Sequence, residues 1–131
     1  MARILVVDDE PGWLDLLSLE LTSQGHQMVT ARNGNEASKI LIRESFDLII
    51  TDIRTPGSIE GVDLIEAYWQ EKPDQKVIFI TGFAPEEKLS KALEHPDTFC
   101  LKKPFHLEEL FSRVAGILQA SGAAQGGLNQ P

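Results

Sequence analysis

The chain alternates five times between a short apolar run and a longer segment with helical periodicity. The apolar runs are rich in β-branched residues, which is typical of strands. They span residues 3–7, 27–31, 47–52, 76–81 and 98–102. The segments between them place apolar residues three and four positions apart, which predicts amphipathic helices. They span residues 11–24, 34–45, 61–72, 85–95 and 107–118. This alternation predicts an α/β domain with one parallel sheet and helices on both of its faces.

Length and composition narrow the class of protein. A chain of 131 residues is long enough for one domain with a real core. The net charge of −8 argues against nucleic acid or an anionic membrane as the main partner. A single cysteine excludes an internal disulfide, and no apolar run approaches the roughly 20 residues of a membrane span. The N-terminus leads directly into a strand, without a signal peptide, so we expect a cytoplasmic protein.

The domain is predicted to span residues 1–120. The last segment, SGAAQGGLNQP at 121–131, consists mainly of small and polar residues. Such a composition buries too little apolar surface to order itself. We therefore expect a flexible tail or the start of a linker, and the sequence does not decide between a stand-alone domain and part of a larger regulator.

Reactive side chains follow or end four of the five predicted strands. They are three carboxylates, one hydroxyl and one ammonium: Asp8, Asp9, Asp52, Thr81 and Lys103. Because ligands of open α/β sheets bind outside the carboxyl ends of the strands, we expect these groups to share one site.

Converging carboxylates suit a hard divalent cation such as Mg²⁺, which would offset the repulsion between Asp8 and Asp9. A metal, a hydroxyl and a lysine are also the groups that hold a phosphoryl group. A carboxylate can itself act as the nucleophile and form an aspartyl phosphate. The residues therefore predict a Mg²⁺-dependent phosphoryl site.

Four motifs occur in order, each at the end of a predicted strand: VVDDE, DLIITDIRTPG, FITG and LKKPF. Together they resemble the receiver domain of two-component response regulators over roughly residues 2–119. The resemblance implies a flavodoxin-like, three-layer fold with strand order 2-1-3-4-5. It also implies a signalling switch that catalyses only its own phosphotransfer and autodephosphorylation.

The same resemblance assigns roles around the metal. Asp52 would be the phosphoacceptor. Asp9 and Asp52 would bind Mg²⁺ directly, and Asp8 would act through a water molecule. The backbone carbonyl of Arg54 would supply a further ligand.

The resemblance also assigns the phosphoryl contacts and the partners. Thr81 would bind a phosphoryl oxygen and Lys103 would pair with the group. A sensor histidine kinase or phosphotransfer protein would be the donor. The face formed by residues 85–118 would then change its affinity for a downstream effector, or for a second copy of the chain.

The sequence departs from the family pattern at two places. In DIRTPGSIEG, Thr55 stands where the family commonly has Met, and one extra residue precedes Gly61. Three residues before Lys103, where the family usually has a switching aromatic residue, stands Cys100, which we expect to be a small buried apolar residue. Phe99 should point to the opposite face of the sheet, because side chains alternate along a strand.

Three other functions are less well supported. A phosphatase of the haloacid-dehalogenase type needs a D-x-D pair on the first strand, whereas Asp8 and Asp9 are adjacent. A flavodoxin-like cofactor binder needs a phosphate loop there, but DDEPGW would repel phosphate. The main alternative is a receiver-like interaction module that works without phosphate.

Overall fold

The computed structural model describes residues 2–53, 61–81, 87–103 and 105–126. Within these ranges five strands form one parallel sheet in the order β2-β1-β3-β4-β5, as the sequence and the family resemblance predicted. The strands are β1 (Arg3–Val7), β2 (Gln27–Ala31), β3 (Leu48–Asp52), β4 (Lys76–Thr81) and β5 (Thr98–Lys102).

Helices alternate with the strands in the described part of the chain. They are α1 (Pro11–Ser23), α2 (Gly34–Arg43), α3 (Gly61–Trp69), α4 (Glu87–Ala92) and α5 (Leu107–Gly126). Pro11 opens α1, where its missing N–H is not needed, and Gly25 follows the helix with a φ of 95°. The Asn33 side chain caps α2 by accepting a hydrogen bond from the Glu36 backbone N–H at 2.9 Å.

Two apolar clusters, one on each face of the sheet, form the core. On one face, Leu5, Ile49 and Phe79 pack with α2, α3 and α4. On the other face, Ile4, Ile50, Ile78 and their neighbours pack with α1 and α5. Alternate residues of β1, β3 and β4 point to opposite faces of the sheet. Because helices cover both faces, nearly every residue of these strands is buried.

Several helices differ in length from the prediction. The segment 61–72 is helical only to Trp69, and the described part of 85–95 is helical from Glu87 to Ala92; turns follow both helices. Pro73 and Pro96 explain this, because the residue before a proline avoids the helical conformation. The last helix instead continues beyond 118 to Gly126, through alanines that favour helix. Residues 121–126, expected to belong to a tail, are thus helical; the linker itself stays a prediction.

Among the described residues, no helix combines the length and apolar character that crossing a bilayer requires.

Candidate functional site

The site lies at the carboxyl edge of the sheet, where β1 and β3 end side by side. Val7 pairs with Thr51, so the next residues along the two chains, Asp8 and Asp52, lie at the same level at this edge of the sheet. The Asp8 backbone N–H still donates to the Ala31 carbonyl of β2 at 3.0 Å, which fixes the direction of the chain. Strand register therefore brings together carboxylates that are 44 positions apart in sequence.

The three predicted acidic residues form one cluster. Asp8, Asp9 and Asp52 each offer a carboxylate oxygen, and these three oxygens lie within 4.8 Å of one another. Asp8 is only 1% exposed, whereas Asp9 is exposed. The cluster thus opens to solvent on the Asp9 side and is closed beneath by Asp8.

Asp8 has an environment that disfavours its charge. Burial raises the pKa of Asp8 from its ordinary value to about 6, against the opposing hydrogen bond from the Glu10 N–H; the nearby Asp52 carboxylate adds to the rise. Its Oδ2 atom is buried and accepts no hydrogen bond from the residues that the structure describes. A buried carboxylate oxygen in this state is costly, so the geometry fits a cation bound at the cluster.

Lys103 lies at the centre of the acidic groups. Its ammonium is 3.6 Å from Asp52 Oδ2, 3.6 Å from Glu10 Oε1 and 4.0 Å from Asp8 Oδ2. Partial burial opposes the charge of Lys103, but these carboxylates outweigh burial and raise the pKa of its ammonium. The geometry therefore places a positive charge beside Asp52.

Thr81 is buried at the end of β4, next to the strand that carries Asp52. The Lys103 backbone N–H donates to the Thr81 carbonyl at 2.6 Å. This bond ties the segment that carries the ammonium to the residue that carries the hydroxyl.

Gly61 belongs to the site for a reason that the sequence did not reveal. A Cβ atom at this position would lie 2.3 Å from the Asp52 carbonyl oxygen and 3.1 Å from Thr51 Oγ1. The Gly61 N–H also donates to the Ile53 carbonyl at 2.9 Å, so α3 begins directly against the end of β3. Only glycine permits this approach, which helps to fix the backbone of Asp52.

Three further neighbours of Lys103 were missed as site residues. Glu10 contacts the ammonium, as described above. The same ammonium lies 5.9 Å from the centroid of the Trp13 ring, and Trp13 meets Phe105 edge-on at a centroid distance of 5.7 Å. The sequence signal was weak, because Trp13 and Phe105 are 92 positions apart and Trp13 fits an ordinary amphipathic helix.

Some predictions concern residues outside the described ranges. They include the backbone carbonyl of Arg54 as a metal ligand and the altered loop that contains Thr55.

The 85–118 face is well defined at its core. Leu89 and Ala92 of α4 are buried, and Cys100 and Phe99 point to opposite faces of the sheet, as predicted. Cys100 is only partly buried, and burial raises the pKa of its thiol. On the opposite face of the sheet from Cys100, β5 and α5 border a groove of about 700 Å³ lined by Phe99, Glu109, Arg113 and their neighbours.

These groups suit one kind of chemistry. Clustered carboxylates can hold a divalent cation, and Asp52 Oδ2 lies beside the ammonium of Lys103. A cation and an ammonium together stabilise negative charge that develops on oxygens of a transferring phosphoryl group.

Comparison with known proteins agrees with this chemistry. A family model described as the response regulator receiver domain matches residues 4–115. The transcriptional regulatory protein GlrR of Escherichia coli (strain K12) is 34% identical over 123 residues, which cover 94% of this chain and 28% of GlrR. The chain thus spans little more than a quarter of that relative.

Two other matches are close to full length. The response regulator receiver protein CpdR of Brucella abortus (strain 2308) is 33% identical over 121 residues, covering 92% of this chain and all of CpdR. The response regulator protein TrrA from Thermotoga maritima, solved in complex with Mg²⁺–BeF, is 36% identical with a TM-score of 0.77. That match covers 89% of this chain and 99% of TrrA.

Proposed function

This chain belongs to the response regulator receiver domain family, and we propose that it is a switch in which Asp52 accepts a phosphoryl group in a Mg²⁺-dependent reaction. Response regulators receive signals from histidine kinases and act on downstream effectors. The donor for this chain is then a sensor histidine kinase or a phosphotransfer protein.

One observation carries the assignment of the site. The buried Asp8 Oδ2 lacks a hydrogen-bond donor among the described residues, yet it lies in a cluster whose other two carboxylates can ligate the same cation. Asp9 and Asp52 are the proposed direct ligands, and Asp8 completes the cluster through water. Arg54 remains a proposed ligand through its carbonyl.

In the proposed reaction an Asp52 carboxylate oxygen attacks phosphorus. The new O–P bond forms as the bond between phosphorus and the donor breaks, and the donor atom leaves with the bonding electron pair. When bound, Mg²⁺ neutralises charge on the phosphoryl oxygens and on the carboxylates. The Lys103 ammonium, 3.6 Å from Asp52 Oδ2, holds a phosphoryl oxygen, and the Thr81 hydroxyl donates to another.

The acyl phosphate adds negative charge at the end of β3, and Thr81 and Lys103 move toward it. Because the Lys103 N–H is bonded to the Thr81 carbonyl, the ends of β4 and β5 respond together. The helix α4 is only six residues long, which suits an element of low local stability. We propose that the face, with its groove beside β5, thereby changes its affinity for an effector or a second copy of the chain.

We also propose how the switch is dephosphorylated and where in the cell it acts. Water hydrolyses the acyl phosphate, so the chain catalyses its own dephosphorylation and no reaction of an external substrate. The switch operates in the cytoplasm, where the histidine kinase transfers its phosphoryl group. It acts either as a stand-alone receiver or as the regulatory domain of a longer protein.

Intact-mass analysis after incubation with acetyl phosphate and Mg²⁺ tests the proposal. The chain should gain one phosphoryl group, and EDTA or the Asp52→Asn substitution should prevent the gain. If the folded chain gains none from acetyl phosphate or from a histidine kinase, it is the interaction module that works without phosphate.

A further inference from the structure

We infer that Trp13 is a positioning residue for Lys103: its ring, braced by Phe105, holds the ammonium at the phosphoryl site. This inference rests on the proposed function of the site. It assigns to α1 a part in the chemistry that neither the metal cluster nor the phosphoacceptor supplies.

The Trp13 ring contacts both Lys103 and the nearby Phe105. Its ammonium lies 5.9 Å from the centroid of the Trp13 ring, inside the range of a cation–π contact. Phe105, two residues after Lys103, meets the same ring edge-on, at 5.7 Å and an interplanar angle of 75°. Trp13 therefore contacts the segment after β5 twice, once at the Lys103 ammonium and once at the Phe105 ring.

The charges around Lys103 explain why a contact with the Trp13 ring would help to position its ammonium. The ammonium is attracted by Asp8, Glu10 and Asp52 at similar distances of 3.6 to 4.0 Å, so it is shared among three carboxylates. The lysine side chain is flexible and about a third exposed. A fixed aromatic face narrows its positions and keeps it over the site.

Trp13 has a polar atom that simple packing would not place there. Its indole Nε1 is buried and donates to no acceptor in the described part of the chain, although the ring as a whole is partly exposed. Buried indole donors usually find a partner, and one left without costs free energy. The ring is thus held in this position by packing, which includes its contacts with Lys103 and Phe105, rather than by a hydrogen bond to a described residue.

A double-mutant cycle on the rate of phosphorylation by acetyl phosphate with Mg²⁺ tests the inference. Trp13→Leu should slow phosphorylation about two- to five-fold, the effect of a cation–π contact at a partly exposed site. Trp13→Phe, which keeps a ring, should recover most of the rate. In a Lys103→Met background, Trp13→Leu should cause no further loss, because its effect passes through the ammonium.

An equal loss in both backgrounds would mean that Trp13 only stabilises the fold, and no loss in either would remove its role altogether. If wild type itself gains no phosphoryl group, the proposed function fails by that separate result. The contact with Lys103 is then tested by fluorescence in a Trp69→Phe background, where Trp13 is the remaining tryptophan. Lys103→Met should change the Trp13 emission, and unchanged emission would overturn the inference.

Discussion

The ammonium of Lys103, which follows β5, lies 3.6 Å from Asp52 Oδ2 at the end of β3, although β4 separates the two strands. The same ammonium also faces Asp8 and Glu10, so one cation is shared among several carboxylates. The site is therefore preorganised for an anion at Asp52, yet it still carries excess negative charge. A divalent cation removes that excess, which explains why metal and phosphoryl group are expected to bind together.

The burial of Asp8 predicts that stability without metal falls as pH rises. With its pKa raised from 3.8 to about 6, the folded chain retains a proton that the unfolded chain has lost in this window. The stabilising effect of protonated Asp8 is complete below about pH 4 and is lost as pH rises through about 6. The loss is on the order of 3 kcal/mol. Urea unfolding in EDTA at pH 4.5 and 7.5 measures it.

Asp8→Asn is the matched variant, because it keeps an acceptor for the Glu10 N–H. It should be more stable than wild type at pH 7.5 by about 1–3 kcal/mol, and the difference should shrink at pH 4.5. A difference that is the same at both pH values would show that the buried charge is not responsible.

Mg²⁺ should reverse this penalty at neutral pH. A ligand that binds only the folded chain stabilises it by about 2.7 kcal/mol at a hundred times its Kd. Thermal unfolding of wild type should therefore shift upward with Mg²⁺ at pH 7.5, and the shift should be much smaller in Asp8→Asn. Equal shifts in the two proteins would place the cation elsewhere.

Gly61→Ala should damage both stability and phosphorylation. The new Cβ would lie 2.3 Å from the Asp52 carbonyl, so the end of β3 or the start of α3 must move. We expect a loss of about 1–3 kcal/mol in the free energy of unfolding, as for other overpacked sites. The rate of phosphorylation should also fall, because the displaced backbone carries Asp52, the proposed acceptor.

Gly116→Ala provides the control in the middle of α5. A Cβ there would meet no atom within 4 Å, so the substitution should stabilise the chain by up to about 1 kcal/mol. If both alanine variants behaved alike, the close approach of Gly61 to Asp52 would not matter.

Glu10→Gln should speed phosphorylation by a small anionic donor. The Glu10 carboxylate competes with Asp52 for the Lys103 ammonium and adds negative charge at the entrance. Because Glu10 is largely exposed, we expect only about a two- to five-fold increase, and high salt should reduce it. The initial rate with acetyl phosphate measures the effect, and a slower reaction would mean that Glu10 assists the chemistry.

Much of this arrangement could be predicted from the sequence. The pattern of β1, β3 and β4 is clear because both faces of each strand are buried, and strand order places Asp8, Asp52 and Lys103 at one edge. Helix ends were harder to predict. Proline shortened α3 and α4, and the small and polar residues after 120 predicted a tail where α5 continues to Gly126.

The supporting residues could not be predicted, since their roles depend on distances across the fold. Gly61 is an ordinary helix start until β3 lies against it, and Trp13 looks like an amphipathic helix residue until Phe105 and Lys103 pack beside it. The charge cluster was visible as residue types at strand ends. The burial of Asp8 beneath the exposed Asp9 was not visible, because the two residues are adjacent in sequence.

The most direct test of the central claim is to locate the phosphoryl group after reaction with acetyl phosphate and Mg²⁺. Borohydride reduces an aspartyl phosphate to homoserine, and peptide mass spectrometry then identifies the modified position. Homoserine at position 52, absent without Mg²⁺, is the predicted result. Modification at Asp8 or Asp9 instead, or none in a folded chain given a competent donor, would contradict the account.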